Sequence, residues 1–249
     1  MQKIKVTIVI VFYRDKNKLL KCLTSIKKSN IKLGYEIIVV NNSAESLNLR
    51  GVKHIKASKN LGYGAGNNLG IKSANGEYIF VLNPDTEILP RSIDKLVNFL
   101  NQNKKVAVVA PILLDSQGKP FSQIDDKELT PTRALFTLSF LGKFFLKLTP
   151  ATTTQKVDAV QGSAFMIRKK VFVEADGFDE NLFLFFEEND LAKRVRALGY
   201  QIFVNPDSKV IHYWRKNPKL KKYFNKSRFY YFKKHYGLIW ALIIELVTG

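Results

Sequence analysis

The chain has 249 residues, 46% hydrophobic and 12% aromatic, enough for one large core or two small ones and too apolar for a disordered polymer. A formal charge of +19 calls for an anionic partner, whether nucleic acid, a lipid surface or a phosphorylated substrate, without choosing among them. A single cysteine excludes an internal disulfide and a thiolate metal cage, and makes a reducing compartment the default expectation.

In chain order, Val6–Phe12 is apolar and β-branched, lacks the small-residue cleavage pattern of a secretion signal and reads as a first strand. Lys16–Lys28 has helical spacing, with Leu19, Leu20, Leu23 and Ile26 around a packing thiol, Cys22. Apolar runs at Glu36–Val40, Val52–Lys56, Tyr78–Leu82 and Val106–Pro111 alternate with helical patterns at Gly62–Ser73 and Arg91–Asn101. Such alternation predicts an α/β fold of parallel strands and crossover helices, with ligands gathering beyond the carboxyl ends of the strands. At those ends stand Tyr13-Arg14, Asn41-Asn42-Ser43, Ser58-Lys59-Asn60 and Asn83-Pro84-Asp85, which suit one shared cleft.

The second half is less regular. "RALFTLSFLGKFFLKL", between Pro131 and Pro150, predicts a helix, either amphipathic on a membrane or over the cleft, or simply packed on the domain. Val157–Ile167 reads as a strand containing Gly162, and Leu191–Leu198 as a helix. No segment reaches the ~20 apolar residues of a spanning helix. The closing "GLIWALIIELV" is too short and contains Glu245.

Several stretches carry chemistry, each with a plainer alternative. The glycines at 62, 64 and 66 of "KNLGYGAGNNLG" fit either a turn or a loop that brings backbone N–H groups to a phosphate. There is no Gly-Lys-Ser/Thr, so this is not a Walker loop. Asp85 in "NPDTE" offers a hard oxygen ligand for magnesium; taken alone, a turn capping the helix at Arg91–Asn101 is the preferred reading. In "LFLFFEENDLAKRVRALGY", Glu188 heads the stripe of Leu191, Val195 and Leu198, beside Phe183, Phe185 and Phe186. Apolar surroundings raise a carboxyl pKa and make a better base. The alternative is that Glu187, Glu188 and Asp190 only complement a helix dipole. His212 in "KVIHYW" becomes a metal-ligand candidate if the fold brings it to Asp85.

Taken in order, the first strand, the Asn-Asn-Ser turn, "NLGYGAGNN", "LNPD", "GSAFMIRK", "GFDENLFLFFEENDL" and His-Tyr-Trp resemble family 2 GT-A glycosyltransferases. The likeness is greatest to the bacterial rhamnosyltransferase-like group and runs from residue 5 to about residue 236. The resemblance implies a Rossmann-like, mostly parallel sheet flanked by helices. It also implies inverting transfer of a sugar, with dTDP-rhamnose the favoured donor, to a lipid-linked or polysaccharide acceptor, assisted by Mg²⁺ or Mn²⁺.

By that resemblance Asp85 is the metal ligand of an Asp-x-Asp-type element in which Asn83 replaces the first carboxylate. His212 completes the metal site in some relatives. Asn41 stands where the family often has an aspartate reading the pyrimidine N3–H. Asn60, Gly62, Asn67 and Asn68 match the ribose and diphosphate segment, and Tyr13 and Arg14 belong to the same nucleotide-sugar side. Glu188 is the expected general base, in place of the family's aspartate. Glu187, Asp190 and Gly162 are expected on the acceptor side.

The expected division is a glycosyltransferase domain at 1–215, with a nucleotide-sugar half at 1–111 and an acceptor half at 112–215, followed by a basic aromatic extension at 216–249. From Ser208 to Ile244 there are ten Lys or Arg and no Asp or Glu, with aromatic residues interleaved. This predicts an interfacial element drawn to anionic lipid, hence a cytoplasmic protein peripheral to the inner face of the membrane. The rival functions are a nucleotide-sugar-binding protein without turnover and a basic RNA-binding module. No RNA motif accompanies the tail, so no nucleic-acid partner is expected.

Overall fold

The structure is a computed structural model that describes residues 3–120, 127–138, 153–214 and 217–248. Its centre is β1 (Val6–Phe12), a β-branched run buried along nearly its whole length. Strands covered on both faces read as continuous apolar runs and sit inside parallel sheets. β1 accordingly lies between β2 (Tyr35–Asn41) and β4 (Tyr78–Leu82), parallel to both, and β3 (Lys53–Lys56) extends the parallel half beyond β2. The remaining strands are β5 (Thr86–Ile88), β6 (Val106–Leu114), β7 (Gln155–Val157), β8 (Ala164–Arg168) and β9 (Gln201–His212). Among the described residues they form one sheet in the order β3-β2-β1-β4-β8-β6-β9-β5, with β7 paired to β9. β8 runs antiparallel to β4 and β6, and β5 antiparallel to β9.

Helices cover both faces. α1 (Lys16–Lys28) and α3 (Ser92–Gln102) bury Leu19, Leu23, Ile26, Ile93, Leu96 and Leu100 on one side. α2 (Tyr63–Lys72), α5 (Lys169–Glu174) and α6 (Glu187–Ala197) cover the other with Ile71, Phe172, Leu191 and Val195. Cys22 is buried in the first layer, and burial pushes its thiol up to about 12, as a packing role requires. A third cluster joins α4 (Pro131–Leu138), Leu182, Phe186 and a C-terminal hairpin of α7 (Lys221–Tyr236) and α8 (Leu238–Thr248).

Several expectations need correction. The single strand at 157–167 is two: β7 pairs with β9, whereas β8 crosses to the sheet centre, and the chain turns at 158–163 to reach it. α6 starts at Glu187, four residues before the apolar stripe begins at Leu191. The turn after Asp85 contains β5, too short to show a period in sequence. The C-terminal extension is not one continuous helix: it breaks at Gly237, φ +90°, and the α7 aromatics Tyr231 and Phe232 are buried in protein. The predicted helix over 133–148 is described only as far as Leu138; its remainder lies outside the described residues. Among the described residues, no helix is long and apolar enough to cross a membrane.

Candidate active site

The register of β4 and β8 builds the first part of the site. Leu82 pairs with Ala164, so the chain leaving β4 lies beside the chain entering β8, and the Asn83 N–H donates to the Ser163 carbonyl at 2.8 Å. The Thr86 hydroxyl closes the turn by donating to the Asn83 carbonyl at 2.7 Å. β5 then pairs with the end of β9, Thr86 opposite His212, and the Tyr213 N–H donates to the Asp85 carbonyl at 2.9 Å. This pairing brings His212 Nε2 to 3.4 Å from Asp85 Oδ1. Lys18 Nζ, from α1, lies 3.7 Å from Oδ2. Burial pushes the Asp85 carboxyl up, but the His212 hydrogen bond and the His212 and Lys18 charges outweigh it and hold the group below its usual value. Asp85 is therefore an anion at neutral pH, facing a cleft of about 420 Å³ lined by Lys18, Lys21, Glu87, His212 and Trp214.

The acidic pair forms the second part. Phe185 and Phe186 both adopt left-handed backbone, φ 74° and 70°, immediately before α6. A bulky residue there costs of order 1–3 kcal/mol, so packing must hold the pair in place. Phe183 stacks on Tyr223 with centroids 4.8 Å apart, and Phe186 packs against Phe224 and Tyr231 at 5.2 and 5.6 Å. Glu187 is buried, its Oε1 without a hydrogen-bond partner, and burial followed by the neighbouring Glu188 charge raises its pKa well above normal. Glu188 is half-buried and lies against Gly162, where a Cβ would meet Glu188 Oε1 at 3.5 Å and the Tyr63 hydroxyl at 3.3 Å. The Tyr63 hydroxyl donates to the Gly162 carbonyl. Burial, then the neighbouring Glu188 charge, raises the Tyr63 pKa well above normal.

Gly162 and Ser163 thus touch both parts. One neighbour of this strip is the backbone of the Asn83–Asp85 turn, and the other is the Glu188 carboxylate. The glycine loop supports the same edge. Gly62 has φ +86°, and a Cβ there would collide with the Phe183 carbonyl, which accepts from the Tyr63 N–H at 2.9 Å. Asn60 accepts from the Gly62 N–H at 3.1 Å, and Asn67 Nδ2 donates to the Tyr63 carbonyl at 3.0 Å while its Oδ1 has no partner. Tyr13 and Arg14 are exposed at the end of β1, the guanidinium 4.9 Å from the ring centroid.

Three expected site residues are engaged by contacts within the fold. The Asn41 carbonyl oxygen, expected to meet a base N3–H, accepts from the N–H and hydroxyl of Ser43 at 2.9 and 2.8 Å, and its amide donates to the Glu45 carbonyl. Asn68 clamps the backbone of Phe178, donating to its carbonyl at 2.8 Å and accepting from its N–H at 3.0 Å. Asp190, expected on the acceptor side, is fully buried. It binds Arg194 at 2.6 Å, Lys234 at 2.6 Å and His235 at 2.8 Å, because its side of the first turn of α6 faces α7. Conversely, Lys18 and Tyr63 were not singled out from sequence: a lysine in a basic helix and a tyrosine between glycines carry no local signal.

A family model described as "Glycosyl transferase family 2" matches residues 7–175. The chain belongs to glycosyl transferase family 2. Glu187, Glu188 and His212 lie beyond the matched range. A low-salt glycan biosynthesis hexosyltransferase, Agl10 of Haloferax volcanii, is 31% identical over 67% of this chain and 55% of its own length. An N-acetylglucosaminyl-diphospho-decaprenol L-rhamnosyltransferase of Mycobacterium tuberculosis is 24% identical over 65% and 59%. The rhamnosyltransferase WbbL of Escherichia coli is 26% identical over 84% and 83%. The chain thus spans little more than half the length of the first two. The solved structure of GalNAc-T7 with UDP, GalNAc and Mn²⁺ superposes with a TM-score of 0.66 at 18% identity, covering 93% of this chain and 50% of that one. At that identity the likeness is one of fold, the GT-A arrangement.

Among the described residues no group of three or more His, Cys, Asp or Glu side chains could hold a metal. The Asp85 carboxylate and the His212 imidazole supply two donors side by side. That set does not cage a cation alone. It fits one that arrives with a diphosphate, since magnesium takes one or two carboxylates and completes its shell with phosphate oxygens and water.

Proposed function

We propose that this chain transfers a hexosyl group from a nucleoside diphosphate donor to a hydroxyl of a lipid-linked or glycan acceptor, with inversion at the anomeric carbon. Rhamnose from dTDP-rhamnose is the favoured donor, and the rhamnosyltransferase names of two relatives support that choice. The observation that carries the reading is the strip Gly162–Ser163, which touches the Asn83–Asp85 turn on one side and Glu188 on the other. A donor diphosphate beside Asp85 would set the sugar above this strip, within reach of Glu188.

The chemistry then needs one base and no covalent intermediate. Glu188 accepts the proton of the acceptor hydroxyl while that oxygen bonds to C1, and the C1–oxygen bond to the diphosphate breaks on the opposite face. The neutral form favoured at Glu187 avoids a second charge beside the base. Lys18 and Lys21 add positive charge to the cleft where the diphosphate leaves. Asp85 and His212 would hold Mg²⁺ or Mn²⁺, whose contribution is to neutralise the leaving diphosphate.

A thermal-shift panel of sugar nucleotides with and without Mn²⁺ tests the reading. dTDP-rhamnose plus Mn²⁺ should stabilise the chain most; a donor at 100-fold its Kd adds about 2.7 kcal/mol. Asp85→Ala should remove the Mn²⁺-dependent part of that shift and leave the melting temperature of the free protein nearly unchanged. An undiminished Mn²⁺ effect in Asp85→Ala would take the metal role away from this residue.

A further inference from the structure

α8 carries a side that the described residues leave open. Ala241 and Ile244 are each 1% exposed and pack inward, whereas Ile239 is 74% exposed, Leu242 54% and Leu246 88%. Residues 239, 242, 243 and 246 recur at spacings of three and four, so these side chains make one continuous apolar row. The single acid of the helix, Glu245, sits off that row and pairs with the buried Arg228 at 2.7 Å.

We propose that this row is a docking edge that seats α8 lengthwise in the interface of an anionic lipid bilayer. Charge complementarity on the adjoining helix selects that occupant. Lys222, Lys226 and Lys233 are all exposed, and helical spacing puts them on one side of α7, opposite the buried Arg228 and Tyr231. Lys219 and Lys221 are exposed at its start. A second copy docked through α8 would bring two such lysine sets together, whereas anionic headgroups neutralise them. Length decides between lying and crossing: the 11 residues of α8 span roughly 16 Å, about half of a ~30 Å hydrocarbon core. An apolar row flanked by lysines is the pattern of a helix lying in the interface. Tyr223 and Phe224 of the same hairpin pack on Phe183 and Phe186, so the docked surface connects directly to the loop that presents Glu188.

The test is co-sedimentation of the full chain with phosphatidylglycerol and phosphatidylcholine vesicles, without donor or acceptor, so the result does not depend on sugar transfer. Binding should be about tenfold or more tighter to phosphatidylglycerol and should weaken with salt. Leu242→Ser/Leu246→Ser and, separately, Lys222→Glu/Lys226→Glu/Lys233→Glu should each weaken it about tenfold or more. All these side chains are exposed, so the far-ultraviolet circular dichroism of both variants should match the parent. Equal binding to the two lipids, or wild-type binding by both variants, overturns the proposal. A dimer in sedimentation velocity that Leu242→Ser/Leu246→Ser converts to monomer would overturn it too, giving the row to a second copy.

Discussion

Glu188→Gln should lower kcat by about 10²–10⁴-fold, the usual contribution of a positioned general base, while donor affinity stays nearly constant. The substitution keeps the shape of the side chain and removes only its capacity to take a proton. Glu188 lies against Gly162, whereas the donors on the metal side are Asp85 and His212, so the donor contacts are expected to survive. The neighbouring Glu187 is a poor substitute, because burial favours its neutral form. Comparing single-turnover rates with donor titrations separates the two effects. A variant that keeps its rate would remove Glu188 from the base role; one that loses donor binding would show that Glu188 helps to hold the nucleotide sugar.

Asp190→Ala should be the most destabilising of these substitutions, by about 3 kcal/mol, the low end for removing one partner of a buried ion pair. Three cationic or potentially cationic side chains converge on this buried carboxylate, two of them from α7. The low end applies because Lys234 and Arg194 are partly exposed and can regain water. Against a total of about 5–15 kcal/mol such a loss is large, and it falls on the contact that holds α7 to α6. Urea unfolding should therefore show a lowered midpoint. A midpoint within error of the parent would mean that the cluster contributes nothing net.

The same contacts set an acid limit. Burial pushes the Asp190 and Glu128 carboxyls up, but their partners more than reverse it. His235, Lys234 and Arg194 hold Asp190 well below its usual value, and Lys193, Tyr236 and Arg196 bring Glu128 from 4.5 to about 2. A carboxyl depressed in the folded state stabilises above its unfolded pKa and loses that contribution as pH falls through the folded one. Stability should accordingly decline from near pH 4.5 toward pH 2, and the Asp190→Ala profile should be flatter over that interval.

The parallel half of the fold was legible because its elements announce themselves locally. β1, α1 and β4 fall at the ends that periodicity and β-branching assign them. The second half was not, because its strands are placed by partners far away in sequence. Nothing near Gly162 says that the chain turns there to insert β8 beside β4, and nothing near Thr86 says that a three-residue strand will pair with His212. The site shows the same split. Asp85 and Glu188 stand out as carboxylates in apolar contexts, but Asp190, two residues beyond Glu188, looks identical in sequence. Its helical phase turns it onto α7, and only the cations waiting there reveal its structural role. Asn41 and Asn68 follow the same rule, since an amide that folds a turn and one that reads a ligand have the same letter.

Anomalous diffraction at the manganese edge, from crystals grown with Mn²⁺ and dTDP, is the most direct measurement of whether Asp85 and Glu188 flank one donor pocket. The expected map has a single strong peak within bonding distance of Asp85 and His212, with the diphosphate running toward Gly162 and Glu188 facing the space beyond its terminal phosphate. Manganese bound away from Asp85, or a diphosphate that leads away from Gly162, would contradict the account.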